Sequence, residues 1–159
     1  MKIGLITISD TRSFEDDDTG RTVMDALRQY GFDTFETVIV AGDQAQIRGA
    51  IRHMSQTCAA IFTTGGTGFS PRDVTPEATA AVLDLRADNL SDSIRASCAE
   101  HSPAGALCRG VAGMVGDALV VNLPGNPATA AHAVHAIGNL LGEVLRQLRG
   151  DPDSVGVGC

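Results

Sequence analysis

Short apolar, β-branched runs alternate along this chain with stretches of helical periodicity, and that alternation limits the fold more than any other feature. "KIGLITI" (2–8), "FETVIVA" (35–41), "CAAIFTT" (58–64) and "DALVVNL" (117–123) each read as a strand. Near-continuous apolar runs of this length suit strands buried on both faces. After the first run, Val23, Ala26, Leu27 and Tyr30 space out a helical stripe that Gly31 stops. Asp43 opens a second helix, with Gln46 three residues on at capping-box spacing and Ile47, Ala50, Ile51 and Met54 as the inner face. Thr75-Pro76-Glu77 supplies an N-cap, a proline at the first helical position and a first-turn acid, and Ala78, Ala81, Val82 and Leu85 continue that third helix. Ser91 caps a fourth, reaching about Glu100. Asn126-Pro127 starts a long fifth helix to Leu148, striped by Val134, Ile137, Leu141 and Leu145, in which Gly138 and Gly142 would admit a second backbone.

Strands alternating with helices predict an α/β architecture with a mainly parallel sheet. The 159 residues suit one domain, read over 1–149, with 150–159 as a flexible tail. In a parallel sheet the loops after the strands gather at one edge, where ligands bind. Those loops are "SDTR" (9–12), "AGD" (41–43), "GGTGFSPRD" (65–73) and "PGNP" (124–127). Each carries glycine, a helix-capping group or a carboxylate.

Gly65, Gly66 and Gly68 let backbone N–H groups turn inward as an anion-binding nest, and Thr64 and Thr67 add hydroxyl donors. "PGNP" precedes a helix whose free N–H groups also favour phosphate. One such loop alone would be read as a tight turn. Two at one edge point to a ligand with more than one anionic group. Asp43 and Asp73 are the carboxylates beside these loops, and Mg²⁺ is held by one or two carboxylates plus substrate phosphates. In structural terms alone, Asp43 would be an N-cap and Asp73 a turn residue paired with Arg72. Asp16, Asp17 and Asp18 read as a solvated loop. No Ser-His-Asp or Cys-His arrangement is evident, and phosphoryl or nucleotidyl transfer needs none.

Several classes are excluded. A formal charge of −7 argues against nucleic acid and anionic membrane surfaces. No run of about eighteen apolar residues is present, so no membrane span is read. "MKIG" shows no signal-peptide pattern, and a cytoplasmic protein with reduced thiols is expected. Lys2 is the one lysine, which removes Walker-type phosphate loops and Schiff-base chemistry on an interior lysine. Cys98, His101 and Cys108 lack the spacing of a structural zinc site, and His132 and His135 read as structural.

"TTGGTG", "SPRDVTPEA" and "LPGNP", in that order and with "SDTR" near the start, resemble the MogA/MoaB-type molybdopterin-binding family. The resemblance covers roughly residues 2–149. It implies a three-layer α/β/α fold and a role in molybdenum-cofactor synthesis. It further implies a Mg²⁺-dependent transfer of AMP from ATP to the terminal phosphate of molybdopterin, with release of pyrophosphate. By the same resemblance Asp43 and Asp73 are the catalytic and Mg²⁺-binding carboxylates, and Thr64, Gly65, Gly66, Thr67 and Gly68 hold phosphate and nucleotide. Ser9, Asp10, Pro124, Gly125 and Asn126 fall on the pterin side. A homotrimer and a downstream molybdate-inserting partner are also implied. Relatives often have Gly-Phe at Asn89-Leu90 and Ser-Arg at Cys108-Arg109, so Cys108 is left out of the expected site. A non-catalytic molybdopterin carrier of the same fold is the alternative, and a nucleotide-sensing module is a third reading.

Overall fold

Apolar residues on both sides of the inner strands require two covering layers, and two separate cores supply them. The computed structural model describes residues 1–156. Its strands are β1 (Lys2–Ile8), β2 (Thr34–Val40), β3 (Ala60–Thr64), β4 (Leu85–Arg86), β5 (Ala112–Val115) and β6 (Ala118–Leu123). The helices are α1 (Asp18–Arg28), α2 (Gln44–Met54), α3 (Thr75–Ala80), α4 (Asp88–His101) and α5 (Pro127–Leu148). Ile3, Leu5, Phe62, Leu119 and Val121 pack under α1, α4 and α5, against Val23, Leu27, Ile94, Val134, Ile137 and Leu141. Their strand neighbours Ile6, Ile61 and Val120 point the other way, against Ile47, Ile51 and Met54 of α2 and Ala78 of α3. This is the period-two alternation of a strand, with both faces apolar. The result is a three-layer α/β/α domain, with each fully buried Ile or Leu contributing about 1.5–3 kcal/mol.

The six strands run in the order β2-β1-β3-β6-β5-β4. β2, β1, β3 and β6 are mutually parallel, in a register that sets Leu5 beside Phe62 and Phe62 beside Val121. β5 and β4 close one margin antiparallel. Asn122, buried on β6, ties three elements together. Its Nδ2 donates to Thr63 Oγ1 and Thr79 Oγ1, both at 2.9 Å, and its Oδ1 accepts from Val111 N at 3.1 Å.

Several local expectations are corrected. β2 and β3 occupy Thr34–Val40 and Ala60–Thr64, against the expected 35–41 and 58–64, because Cys58 N still closes the end of α2 onto Met54 O. β4 and β5 were not anticipated. The third helix stops at Ala80, and Leu85 is an exposed strand residue, not a helical one. The N-cap there is Val74; Thr75 is the first helical residue and Pro76 the second. The fourth helix starts at Asp88 with Ala87 before it, so Ser91 lies inside the first turns, donating to Asp88 O. Gly138 accommodates the ring of Tyr30, which a Cβ would meet at 2.3 Å, and not a second backbone. Nothing lies within 4 Å of a Cβ at Gly142. Asp17 is buried, capping α1 through Gly20 N and accepting from Thr7 Oγ1 at 2.6 Å, while Asp18 stays exposed in a pair with Arg21. Of the expected tail, residues 157–159 lie outside the described residues. Val155 O accepts from Gln147 Nε2 at 2.9 Å. Among the described residues no helix is long and apolar enough to cross a membrane.

Candidate functional site

The four parallel strands deliver their following loops to one edge, and three of those loops are tied through Asp10. Asp10 Oδ1 accepts from Gly42 N at 2.9 Å, and its Oδ2 pairs with Arg72. Arg72 therefore joins the first loop to the third and is not the partner of Asp73. Asp43 caps α2 by accepting from Gln46 N at 2.9 Å. The reciprocal half of a capping box is absent, because Gln46 Oε1 faces Ala41 N.

The loop after β3 is built around two successive left-handed glycines, Gly65 at φ 91° and Gly66 at φ 67°. A Cβ on Gly66 would lie 2.3 Å from Thr75 Oγ1, so a side chain there collides with the protein before it meets any ligand. Four successive carbonyls there are held by two residues, Thr75 and Arg109. Gly65 O accepts from Thr75 Oγ1 at 2.9 Å and Gly66 O from Thr75 N at 3.1 Å. Thr67 O accepts from Arg109 N at 2.8 Å, and Gly68 O from Arg109 Nε at 2.7 Å. These peptides are trans, so each N–H points opposite to the carbonyl of the preceding residue. The N–H groups of Gly66, Thr67, Gly68 and Phe69 are thereby turned away from Thr75 and Arg109. Among the described residues none of the four has an acceptor. Successive free amides beyond left-handed glycines are an anion-binding concavity.

Two clefts open beside this loop. The larger, about 350 Å³, is lined by Gly66, Thr67, Gly68 and Asp73 on one side and Pro124, Gly125 and Asn126 on another. The smaller, about 280 Å³, is more polar and brings Ser9 and Arg12 against Thr64, Gly65 and Gly125. Gly125 borders both, and a Cβ on it would come within 3.1 Å of Gly65 Cα. Ser9 is thus placed with Thr64 and Gly65, and Pro124 and Asn126 with Gly66 to Gly68, a division across the expected pterin and nucleotide groups. Asp10 and Asp43 line neither cleft.

The hydroxyls are committed in ways that spacing does not reveal. Thr64 Oγ1 donates inward to Thr7 Oγ1 at 3.4 Å, and Thr7 donates on to the buried Asp17. Thr64 therefore offers an acceptor to the smaller cleft, not the expected donor. Arg12 Nη1 donates to Thr19 Oγ1 at 3.1 Å, and Thr19 donates to Gly125 O at 2.9 Å. Asp73, which lines the larger cleft, accepts through Oδ2 from Ser70 N at 3.0 Å, and its Oδ1 has no protein donor among the described residues. A carboxylate oxygen beside free amides suits a divalent cation shared with phosphate oxygens. The donor set thus fits Mg²⁺ at Asp73. Asp43 lies on the neighbouring loop with its Oδ1 occupied as a helix cap.

Sequence reasoning missed the far wall. Ser102, Ala104, Gly105, Leu107 and Cys108 complete the larger cleft from a 3₁₀ turn, Pro103–Leu107, after α4. Cys108, left out of the expected site, lines it and donates from Sγ to Thr67 Oγ1 at 3.5 Å. Arg95 holds this wall, donating from Nη1 to Cys108 O at 3.0 Å and Gly110 O at 3.2 Å. "SPAGAL" carries turn residues but no periodicity that would place it here. Arg109 was missed as well. Besides Gly68 O it donates to Asp73 O at 2.8 Å and pairs with Glu77, and its guanidinium lies 5.7 Å from the Phe69 ring centroid. The hydrogen bond from Arg109 holds the Glu77 carboxyl below its usual range. Cys98, by contrast, is buried against Thr129 O, and burial pushes its thiol up to about 11. His135 Nδ1 meets Tyr30 Oη at 2.9 Å, and His132 stacks on His101.

Residues 4–146 match the family described as a probable molybdopterin binding domain. The molybdopterin adenylyltransferase of Haemophilus influenzae is 33% identical over 151 residues, covering 91% of this chain and 77% of that protein. The molybdenum cofactor synthesis protein cinnamon of Drosophila melanogaster is 37% identical over 160 residues, covering 87% of this chain, which spans 26% of that longer protein. Among solved structures, a molybdopterin biosynthesis protein from Mycobacterium abscessus superposes with a TM-score of 0.87 at 31% identity, covering 94% of this chain and 96% of that one.

Proposed function

Because the chain belongs to the molybdopterin-binding domain family of molybdenum-cofactor biosynthesis, we propose that it is a molybdopterin adenylyltransferase. In this reading it transfers AMP from ATP to the terminal phosphate of molybdopterin. A phosphate oxygen of the pterin attacks the α-phosphorus of ATP, the new P–O bond forms, the bond to the β-phosphate oxygen breaks, and pyrophosphate leaves. The attacking oxygen is already anionic, so no side chain needs to remove a proton. The observation that carries the reading is the row of four free amides, Gly66 to Phe69, in a loop that shares the larger cleft with the Asp73 carboxylate. Those amides hold phosphate charge in place as it redistributes, the kind of preorganised stabilisation on which such transfers depend. Asp73, with Asp43 on the adjoining loop, would hold Mg²⁺. The ion supplies neutralisation of phosphate charge when bound. The larger cleft, with Pro124, Gly125 and Asn126, is wide enough for one ligand arm, and the smaller cleft with Arg12 takes another.

The same reading includes a homotrimer, a cytoplasmic setting and hand-over of product to a molybdate-inserting partner. The test is direct. Purified protein with molybdopterin, ATP and Mg²⁺ should yield adenylyl-molybdopterin by mass spectrometry. Tight pterin binding without that product would replace the enzyme by a carrier of the same fold.

A further inference from the structure

One basic group beside the glycine loop is taken up by protein acceptors. All three guanidinium nitrogens of Arg109 are engaged inward, Nε by Gly68 O, Nη2 by Asp73 O and Nη1 by the Glu77 carboxylate. Its backbone N–H is engaged as well, by Thr67 O. Thr75 does the same for the two preceding carbonyls. With those four carbonyls engaged, each amide from Gly66 to Phe69 faces away from the donor that holds the carbonyl of its own peptide. We propose that Arg109, together with Thr75, is a positioning residue: it sets the direction of the loop amides that hold the ligand anion and does not touch that anion.

The inference rests on the loop being an anion site, as proposed above, and deepens it. A planar fork matters here because one rigid group must reach three acceptors at set angles; an ammonium on a flexible stem cannot reproduce that. The role also explains how Arg109 reaches Asp73. With Asp73 O held by Arg109 and Asp73 Oδ2 by Ser70 N, Oδ1 is the carboxylate oxygen left without a protein donor among the described residues.

The experiment uses the full chain and inorganic pyrophosphate, titrated calorimetrically across a series of salt concentrations, with circular dichroism to confirm folding. Arg109→Met and Arg109→Lys should both weaken pyrophosphate by about tenfold or more, the scale of losing a charge-assisted hydrogen bond. The dependence of log Kd on log salt should change by less than one full charge, because the charge removed is near the anion but not in contact with it. Thr75→Val, which removes no charge, should weaken binding in the same direction. Glu77→Gln, a milder change that leaves the guanidinium less restrained, should weaken it less. Full affinity in Arg109→Lys, or a salt slope reduced by about one charge in Arg109→Met, would overturn the proposal by placing the guanidinium on the anion. Failure of the unaltered protein to bind pyrophosphate or ATP would instead overturn the site reading on which the proposal stands.

Discussion

The loops after β3 and β6 lie side by side at one edge of the sheet and border the same cleft, yet they are held by opposite means. The loop after β6 is held chiefly by a local cap. Asn126 takes an extended backbone and accepts from Thr129 N at 3.2 Å and Thr129 Oγ1 at 3.3 Å, while Pro127 enters the first turn of α5 with φ already set. That cap closes within four consecutive residues, and Thr19 Oγ1 adds one distant tie to Gly125 O. The loop after β3 has two left-handed glycines, which open conformational space instead of closing it. Its order comes from Thr75, one helix start away, and from Arg109, on the segment leading to β5. A self-capped loop tolerates change elsewhere in the molecule. A loop braced from afar reports the position of its braces, so the anion site is coupled to the Pro103–Leu107 wall and the margin of the sheet.

The contrast is sharpest if chemistry belongs to the braced loop alone. Asp73→Asn keeps shape and removes charge, and should lower adenylyl transfer by about 100-fold or more while pterin affinity and melting temperature hold, as for loss of a key electrostatic stabiliser. Retained turnover at saturating Mg²⁺, measured by product mass spectrometry, would break the assignment. The next largest effect concerns stability. Gly66→Ala places a side chain at φ 67° and against Thr75 Oγ1, and should cost about 1–3 kcal/mol in denaturant unfolding. Pyrophosphate binding should fall with it. Asn126→Ala removes one local cap and should cost about 1 kcal/mol, with the β3 loop and pyrophosphate affinity intact. Equal losses of anion affinity in the Gly66 and Asn126 variants would erase the distinction between the loops.

The smallest effect is in pH. The Glu77 carboxyl, lowered by Arg109, stabilises the folded state at pH values above the usual carboxylate pKa of about 4.3. That contribution is lost as pH falls from there through the lowered folded value. Glu77→Gln should therefore lower the melting temperature slightly in the neutral region, leave it nearly unchanged below that window, and so flatten the acid limb between them. An unaltered acid limb would show that the pair is too exposed to matter.

How far the site could be read beforehand follows the same division. Asp43 and Asn126 were legible as helix caps because a cap is a bond between neighbours, and both accept from the N–H three residues on. The four parallel strands were legible because each is an apolar run with its own length signal. β5 had a local signal too, the two residues Gly116-Asp117 between apolar runs that pair Val115 with Ala118, and it went unread. Nothing local marked β4, two exposed residues completed by pairing with Gly113 and Met114. The Arg72–Asp73 pair suggested by adjacency was wrong for a geometric reason: Arg72 reaches across to Asp10, while Asp73 turns back on Ser70.

By itself, then, the sequence determined which segments are strands of a parallel sheet, where α2 and α5 begin and that Gly65 and Gly66 sit where the backbone favours glycine. Those outcomes depend on forces acting within a few residues: apolar periodicity, capping bonds and permitted φ. Only the tertiary structure decided that Thr64 donates inward, that Cys108 walls the cleft and that Arg109 holds carbonyls and leaves four amides free. Each of those turns on where a hydrogen-bonding group finds its partner, and the partners lie from 10 to 57 residues away along the chain, brought within reach only when the sheet is complete.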